Sequence, residues 1–293
     1  LNFVFSSKSC KIVFIGDAGQ LPPVGQELSP ALQGKTLKRI FPLMEIQECH
    51  LKETHRTHQF SSILKNATKI RTLKTIEQPL INFIDESTLS IKGFEVHEKI
   101  ENSYAEVGVE NTIVLTLSNK QANQWNAGIR KTLFFREDII EKGETLLVIK
   151  NNYFWINPTS PMGFLANGEV ICVERIIKYE KMYNRDFARI EVCFPSYPDL
   201  QNKEVLILLE TLTIETASLG REKMKELFFE IEKDYLHISN KQMRYREILN
   251  NSYFNAIHVK YGYASTVHKA QGGQWPHVYI DGSFIPDAMN DKS

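Results

Sequence analysis

The chain has 293 residues, of which 42% are hydrophobic and 24% charged, and its 35 Lys and Arg residues balance 35 Asp and Glu residues. This length and composition are typical of a globular protein of about two domains. A formal charge of zero excludes an overall basic field, so any affinity for nucleic acid must come from a local groove.

The cysteines and the apolar runs bear on where the protein works. No apolar run approaches the roughly 18 residues of a membrane span, and no signal peptide is recognisable. The sequence has four cysteines, and their spacing indicates neither a metal site nor a disulfide framework: Cys10, Cys49, Cys172 and Cys193. We therefore expect a protein of the reducing cytoplasm with no membrane partner. Because the chain begins without Met and stops just after an apparent strand, HVYIDGSF, we expect a piece of a longer protein.

The first motif follows a run of apolar residues. Residues 11–15, KIVFI, predict a strand buried on both faces of a parallel sheet. The run ends in GDAGQLPPVG, so Asp17 and Gln20 would lie at the C-terminal end of the strand, where α/β sheets bind ligands. Pro22 and Pro23 restrict the backbone that leaves this loop and so limit where Gln20 points. The alternative is a polar loop capped by Asp17.

The second candidate, Arg56, stands just before a predicted helix. It is either a surface cation in a polar turn or a ligand for negative charge. The helix, FSSILKNATKIR, would begin at Ser61 or Ser62. Apolar residues at a spacing of 3–4 predict its buried face: Phe60, Ile63, Leu64, Ala67 and Ile70. Residues 72–110 carry little chemical signal, and only FEV at 94–96 indicates a strand, at a sheet edge.

Residues 111–130 predict a buried strand, TIVLT, and a helix capped by Ser118 or Asn119.

Residues 143–175 alternate in polarity around an Asn167-Gly168 turn, which predicts a β-hairpin. With ARIEVCF and KEVLILL they indicate a small β subdomain. The aromatic run Tyr153, Phe154 and Trp155 would form its core and rim, or would stack on bases. Between 219 and 250 a helical face is predicted by Met224, Leu227, Phe228, Ile231 and Tyr235.

The most informative stretch is KYGYASTVHKAQGGQWPHV, residues 260–278. It predicts a short strand, a turn and the start of a helix. Backbone N–H groups at a helix N-terminus favour anions, of which phosphate is the commonest. The turn would present Thr266, His268, Lys269, Gln271, Gly272 and Gly273. The alternative is a capped turn between a buried strand and a surface helix.

Together these motifs resemble superfamily 1 helicases of the RecD-like, 5′-to-3′ branch. GDAGQLPPVG is similar to motif III, the L-x-x-x-x-R element ending in Arg56 to motif IV, TLSN to the Thr-x-x-Asn string, and YGYASTVHKAQGGQW to motif V. The resemblance implies that Gln20 and Arg56 contact the γ-phosphate of ATP, with Arg56 acting as an arginine finger. It also implies backbone contacts to single-stranded DNA from Thr116, Asn119, Thr266 and His268.

The same resemblance places Lys269 and Gln271 where the DNA track meets the ATP cleft, so Lys269 is a further DNA-binding candidate. Gly272 would let the backbone approach the nucleotide closely. Gln274 stands where the family usually has Glu, which puts ribose recognition by a carboxylate in doubt.

The fold implied by the resemblance is α/β. It consists of RecA-like, P-loop NTPase-type parallel sheets with an inserted small Src-homology-3-like β-barrel. Residues 1–75 would be the tail of the first RecA-like domain. The second domain would begin at 76–145, be interrupted by the barrel and a helical segment at 146–255, and return at 256–293.

Two parts of the family's ATP site are missing from the sequence. It contains no G-x-x-x-x-G-K-[ST] string, and the Asp-Glu pair that would hold Mg²⁺ is absent as well. ATP and Mg²⁺ are therefore expected in the parent protein, with the Mg²⁺ ligands outside this chain. The expected function is the C-terminal part of an ATP-dependent DNA helicase or translocase, inactive as an ATPase by itself. The alternative is a non-catalytic nucleic-acid-binding module or a subunit of a helicase–nuclease complex of the exodeoxyribonuclease V alpha type.

Overall fold

The computed structural model of the chain describes residues 11–17, 19–20, 26, 28–43, 45–51, 61–72, 87–216 and 218–282. The chain divides into two compact units, residues 1–91 with 291–293, and residues 92–290. Within the described residues, no helix has the length and apolar character needed to cross a membrane.

The described part of the first unit consists of short helices and irregular segments. It contains a 3-10 turn at Pro30–Leu32 and the helices α1, Gly34–Ile40, and α2, Ser62–Thr72. The buried strand predicted at 11–15 was wrong, because these residues have no regular secondary structure and Val13 and Ile15 are 80% and 92% exposed. A buried parallel strand needs hydrogen-bonding neighbours on both sides, and the described part of this unit contains no strand that could pair with it.

Helix α2 begins as predicted but buries a different face. The N–H of Leu64 donates to Ser61 Oγ over 3.3 Å, so Ser61 caps the helix. The predicted apolar face was wrong, since Ile63 and Ile70 are both exposed. The buried side carries Ser62, whose hydroxyl lies 2.9 and 2.7 Å from two other hydroxyl groups. Hydrogen bonding, not apolar burial, therefore decides which side of α2 faces inward.

The second unit contains a three-stranded parallel sheet. Its central strand β1, Thr112–Thr116, lies between two strands from the C-terminal stretch, Ala264–Thr266 and His277–Ile280. Helix α3, Val96–Val107, packs against β1. The edge strand predicted at 94–96 was wrong, because Gly93–Glu95 forms a 3-10 turn that leads directly into α3. The Glu95 carboxylate accepts the N–H of Lys92 over 3.2 Å and so stabilises this turn.

Helix α4, Asn119–Thr132, follows β1 and packs against β1 and the outer strand Ala264–Thr266. Ser118, not Asn119, caps it: the N–H of Gln121 donates to Ser118 Oγ over 3.2 Å, and Gln121 Oε1 accepts the N–H of Ser118. The buried amide of Asn126 exchanges two hydrogen bonds with the backbone of Ala264. These contacts hold the first turn of α4 at the edge where β1 ends.

Five strands close into the predicted small barrel: β2 at Thr145–Val148, β3 at Val170–Met182, β4 at Arg185–Cys193, β5 at Lys203–Leu208 and β6 at Ile257–Tyr261. All neighbours are antiparallel except β5 and β6. A closed barrel leaves no sheet edge exposed. The last strand, β6, lies beyond residue 255, and it leads straight into the strand that follows at Ala264.

A helical segment connects β5 to β6. It comprises 3-10 turns at Leu209–Leu212 and Lys233–Tyr235 and the helices α5, Arg221–Glu232, and α6, Lys241–Leu249. As predicted, Leu227 and Ile231 form the buried face of α5, where they pack with Ile248. The remaining elements complete the sheet: β7 at Ala264–Thr266, the one-turn helix α7 at Val267–Ala270 and β8 at His277–Ile280.

The Asn167-Gly168 turn lies at the end of the long connection between the antiparallel strands β2 and β3, immediately before β3. Gly168 has φ of +94°, which a residue with a Cβ adopts only with strain. We expect Gly168→Ala to lower the free energy of unfolding by about 1 kcal/mol or more. Gly128→Ala, in α4 where a Cβ would meet nothing within 4 Å, should instead raise it by about 1 kcal/mol. Urea denaturation of both variants checks this, and shifts of the same sign would contradict it.

Candidate functional site

The candidate site lies where β1 and β7 end side by side. Thr116 of β1 and Thr266 of β7 are register partners, so both chain segments leave the sheet at the same edge. Both threonines are buried, and the hydroxyl of Thr116 donates to the carbonyl of Ser118 over 3.0 Å. Through this hydrogen bond, Thr116 stabilises the loop that precedes α4.

The stretch after β7 differs from its predicted order. The helix precedes the glycines: α7 follows Thr266 at once, Gly272 then takes φ of +87°, and strand β8 comes next. The predicted helix after the glycines was wrong, because a left-handed Gly terminates a helix. A helix of one turn has only a small dipole, and the Thr266 side chain makes no capping hydrogen bond. Anion binding here must therefore depend on side chains.

Four of the predicted contact residues are on the surface after β7. His268, Gln271, Gly272 and Gln274 are all exposed, so a ligand could reach each of them. A Cβ on Gly272 would meet no protein atom within 4 Å, so its backbone conformation, not crowding, accounts for the glycine.

Two lysines and an amide come together beside this edge. The Nζ of Lys260, a buried residue of β6, donates to Asn119 Oδ1 and to the carbonyl of Ile214, both over 2.9 Å. Burial lowers the pKa of Lys260 to about 8. Burial, and then repulsion from Lys260, lowers the pKa of Lys269 to about 8 as well. The charge of Lys269 therefore lies close to that of Lys260, and an anion bound at this edge would favour the charged form of both lysines.

Lys260 was missing from the predicted site residues. The sequence signal that could have found it is a lysine inside the strand IHVKY, every residue of which is buried. Asn119, which was predicted, does reach the site. Because its Oδ1 accepts from Lys260, its Nδ2 is the group that remains to donate to a ligand.

A buried ionic network holds the elements around the site together. The Glu144 carboxylate, fully buried just before β2, accepts from Arg130 Nε and Nη2 over 3.0 Å and from Arg136 Nη1 over 3.1 Å. It also accepts the hydroxyl of Tyr263 over 2.7 Å, and burial raises the pKa of that hydroxyl. The network joins α4 to β2 and to Tyr263, which lies between β6 and β7. This segment comes after Lys260 and before Lys269 in the chain.

The other predicted site residues belong to the first unit. Gln20 is exposed, in a loop that Asp17 holds as expected, since Asp17 Oδ1 accepts the N–H of Gly19 over 2.8 Å. Arg56, Pro22 and Pro23 lie outside the described residues. The roles of Gln20 and Arg56 toward ATP therefore stay predictions.

Comparison with known proteins bears on the end of the chain. No curated protein matches the chain. Residues 261–292 match the family model of the UvrD-like helicase C-terminal domain. The matched region begins one residue after Lys260 and contains β7, α7 and β8 with Thr266, His268 and Lys269. The match supports the presence of the C-terminal portion of a superfamily 1 helicase in this chain.

Proposed function

We propose that this chain is the C-terminal part of an ATP-dependent DNA helicase or translocase of the RecD-like branch, moving 5′-to-3′ along single-stranded DNA. The observation that carries the proposal is the convergence of Lys260, Lys269 and Asn119 beside a segment that matches a helicase C-terminal domain. A nucleic-acid backbone supplies anions of the kind that two neighbouring lysines bind, one phosphate for each nucleotide.

Each residue of the site has a role in this proposal. Lys269, the exposed His268 and the amide of Asn119 contact backbone phosphates, while Thr266 and Thr116 hold the two strand ends from which these side chains project. Phosphate contacts of this kind position a strand without reading its sequence. The expected partner is therefore single-stranded DNA of any sequence, together with other subunits if the parent belongs to a helicase–nuclease complex.

The ATP side of the proposal rests on the sequence motifs. Gln20 and Arg56 would contact the γ-phosphate, and Gln271, Gly272 and Gln274 would face the nucleotide. The described parallel sheet would be part of the second RecA-like domain, and the five-stranded barrel its Src-homology-3-like insert. Closure of the ATP cleft would then shift the phosphate contacts along the strand, gated by hydrolysis.

Binding of a labelled oligothymidylate to the 293-residue chain tests the proposal. We expect His268→Ala/Lys269→Gln to weaken binding about tenfold and to reduce the dependence of log K on log salt by about 0.7 for the lysine. Fluorescence anisotropy across a salt series measures both quantities. Lys181→Gln, an exposed lysine of β3, is the control and should leave both unchanged.

Two results would contradict the proposal. The first is an affinity and a salt dependence that are the same for the site variant and the Lys181→Gln control. The second concerns ATP: the 293-residue chain should bind the strand without hydrolysing ATP, so DNA-stimulated turnover by this chain alone would contradict the placement of the phosphate-binding loop outside it.

A further inference from the structure

A cleft of about 810 Å³ opens between the barrel and helix α5, and its lining does not belong to the site described above. Three cations line it: Lys150, which follows β2, and Arg221 and Lys225 of α5. None of the described lining residues is Asp or Glu. Within the described part of the chain, moreover, none of the three cations forms an ion pair. The cleft therefore carries uncompensated positive charge although the chain as a whole is neutral.

The barrel side of the cleft presents an exposed aromatic ring that is held in place. Tyr153 is 66% exposed, and its ring stacks on Phe164 with 4.7 Å between centroids. Asn151 Nδ2 donates to the Tyr153 hydroxyl over 3.3 Å, and Asn151 Oδ1 accepts the N–H of Asn167 over 2.7 Å. A ring that is already ordered loses little conformational freedom when a second planar group stacks on it.

The helix side offers a second aromatic wall. Phe228 of α5 lines the cleft with Phe254, and their ring centroids are 6.0 Å apart. Phe228 also contacts Tyr245 of α6 at 5.8 Å, so this wall is anchored in the helical segment. The cleft thus combines ordered aromatic surfaces on both sides with three cations at its margins.

We propose that this cleft is a second contact for single-stranded nucleic acid. Lys150, Arg221 and Lys225 bind successive phosphates, and a base stacks on Tyr153. Alternating charge and planar rings are what a single strand supplies, and stacking accepts any base because every base has a π-face. An acidic peptide would satisfy the cations but would leave the ring unused. The inference rests on the proposed function only for its ligand class, since the residues of the two sites are separate.

The test is fluorescence anisotropy of the 293-residue chain with a labelled oligothymidylate of about 20 nucleotides. Arg221→Gln/Lys225→Gln should weaken binding about tenfold and lower the salt dependence of log K by about 1.4, twice the single-strand value for one phosphate. Tyr153→Ala should weaken binding about tenfold without changing the salt dependence, because stacking releases no counterions. Tyr153→Phe keeps the ring and should bind like the unaltered chain.

The control is Lys181→Gln/Lys203→Gln, which removes the same charge from exposed positions on β3 and β5 outside the cleft. If this control weakens binding as much as the cleft pair does, binding depends on the total charge of the chain and not on the cleft, and the inference is wrong. The inference is also wrong if oligoglutamate displaces the DNA while Tyr153→Ala binds normally, because the cleft would then hold an acidic chain. If Lys269→Gln weakens binding but no cleft variant does, only the cleft assignment fails. Absence of binding by the unaltered chain overturns the proposed function as well.

Discussion

Glu144→Gln is expected to lower the free energy of unfolding by about 3–5 kcal/mol. The Glu144 side chain is fully buried and compensates two guanidinium groups, Arg130 and Arg136, which are themselves only 10% and 11% exposed. Gln has nearly the same shape as Glu, so the variant creates no cavity. It does remove the negative charge, and removing one member of a buried ionic cluster leaves the others unpaired in a poorly solvated place. Urea denaturation near neutral pH measures the change.

The matched control is Glu191→Gln. Glu191 pairs with Arg175 over 3.1 Å, a distance similar to those around Glu144, but the two side chains are 31% and 69% exposed. Water and salt already screen this pair, so its loss should change the free energy of unfolding by no more than about 1 kcal/mol. Equal costs for the two variants would show that the Glu144 network contributes nothing beyond a surface ion pair.

The affinity of the 293-residue chain for single-stranded DNA should fall about tenfold or more as the pH rises from about 7 to about 9, because Lys269, which contacts phosphate in the proposal, loses its charge and the neighbouring Lys260 does so as well. The reason is that Lys260 and Lys269 have pKa values of about 8, so both lose their charge in this range. A lysine with an ordinary pKa would stay protonated there. Binding measured at constant ionic strength across the pH range checks the prediction.

The pH dependence of stability shows that unfolding would not explain a loss of affinity at high pH. Both pKa values are lower in the folded chain than in the unfolded chain, so the unfolded state binds more protons between about pH 8 and pH 10.5. The contribution of these two groups to stability therefore rises with pH while the affinity falls. Lys269→Met should bind more weakly at pH 7 and show a smaller decline. An affinity that does not change between pH 7 and pH 9 would contradict the involvement of both lysines.

Local signals in the sequence were enough to predict most of the second unit. The alternating residues around the Asn167-Gly168 turn predicted two antiparallel strands, and β2 and β3 do pair in this way, although the turn lies immediately before β3 and not midway between the two strands. Period-2 alternation predicted the barrel strands, and the 3–4 spacing predicted the buried face of α5. Each of these signals is local, because alternation or a 3–4 spacing within one segment indicates the type of element that the segment forms.

The same signals failed where the deciding partner was distant or absent. The apolar run at 11–15 has no strand beside it in the described part of its unit, and α2 turns Ser62 inward because other hydroxyl groups meet it there. The spacing of apolar residues indicates that a segment has an apolar face, but it does not identify which other segment packs against that face. The order of α7 and the glycines was missed for a related reason, since a short helix leaves almost no periodic signal.

The sequence by itself determined the α/β class, the barrel and the helicase-like motifs, including Thr266, His268 and Lys269 near the end of the chain. Only the tertiary structure decided that Lys260 and Asn119, far apart in sequence, meet beside Lys269, and that Glu144 joins Arg130 to Tyr263. It also decided that Arg221, Lys225 and Tyr153 line one cleft. The physical reason is that charge and hydrogen bonding act through space, so their consequences depend on which distant segments the closed barrel and the parallel sheet bring into contact.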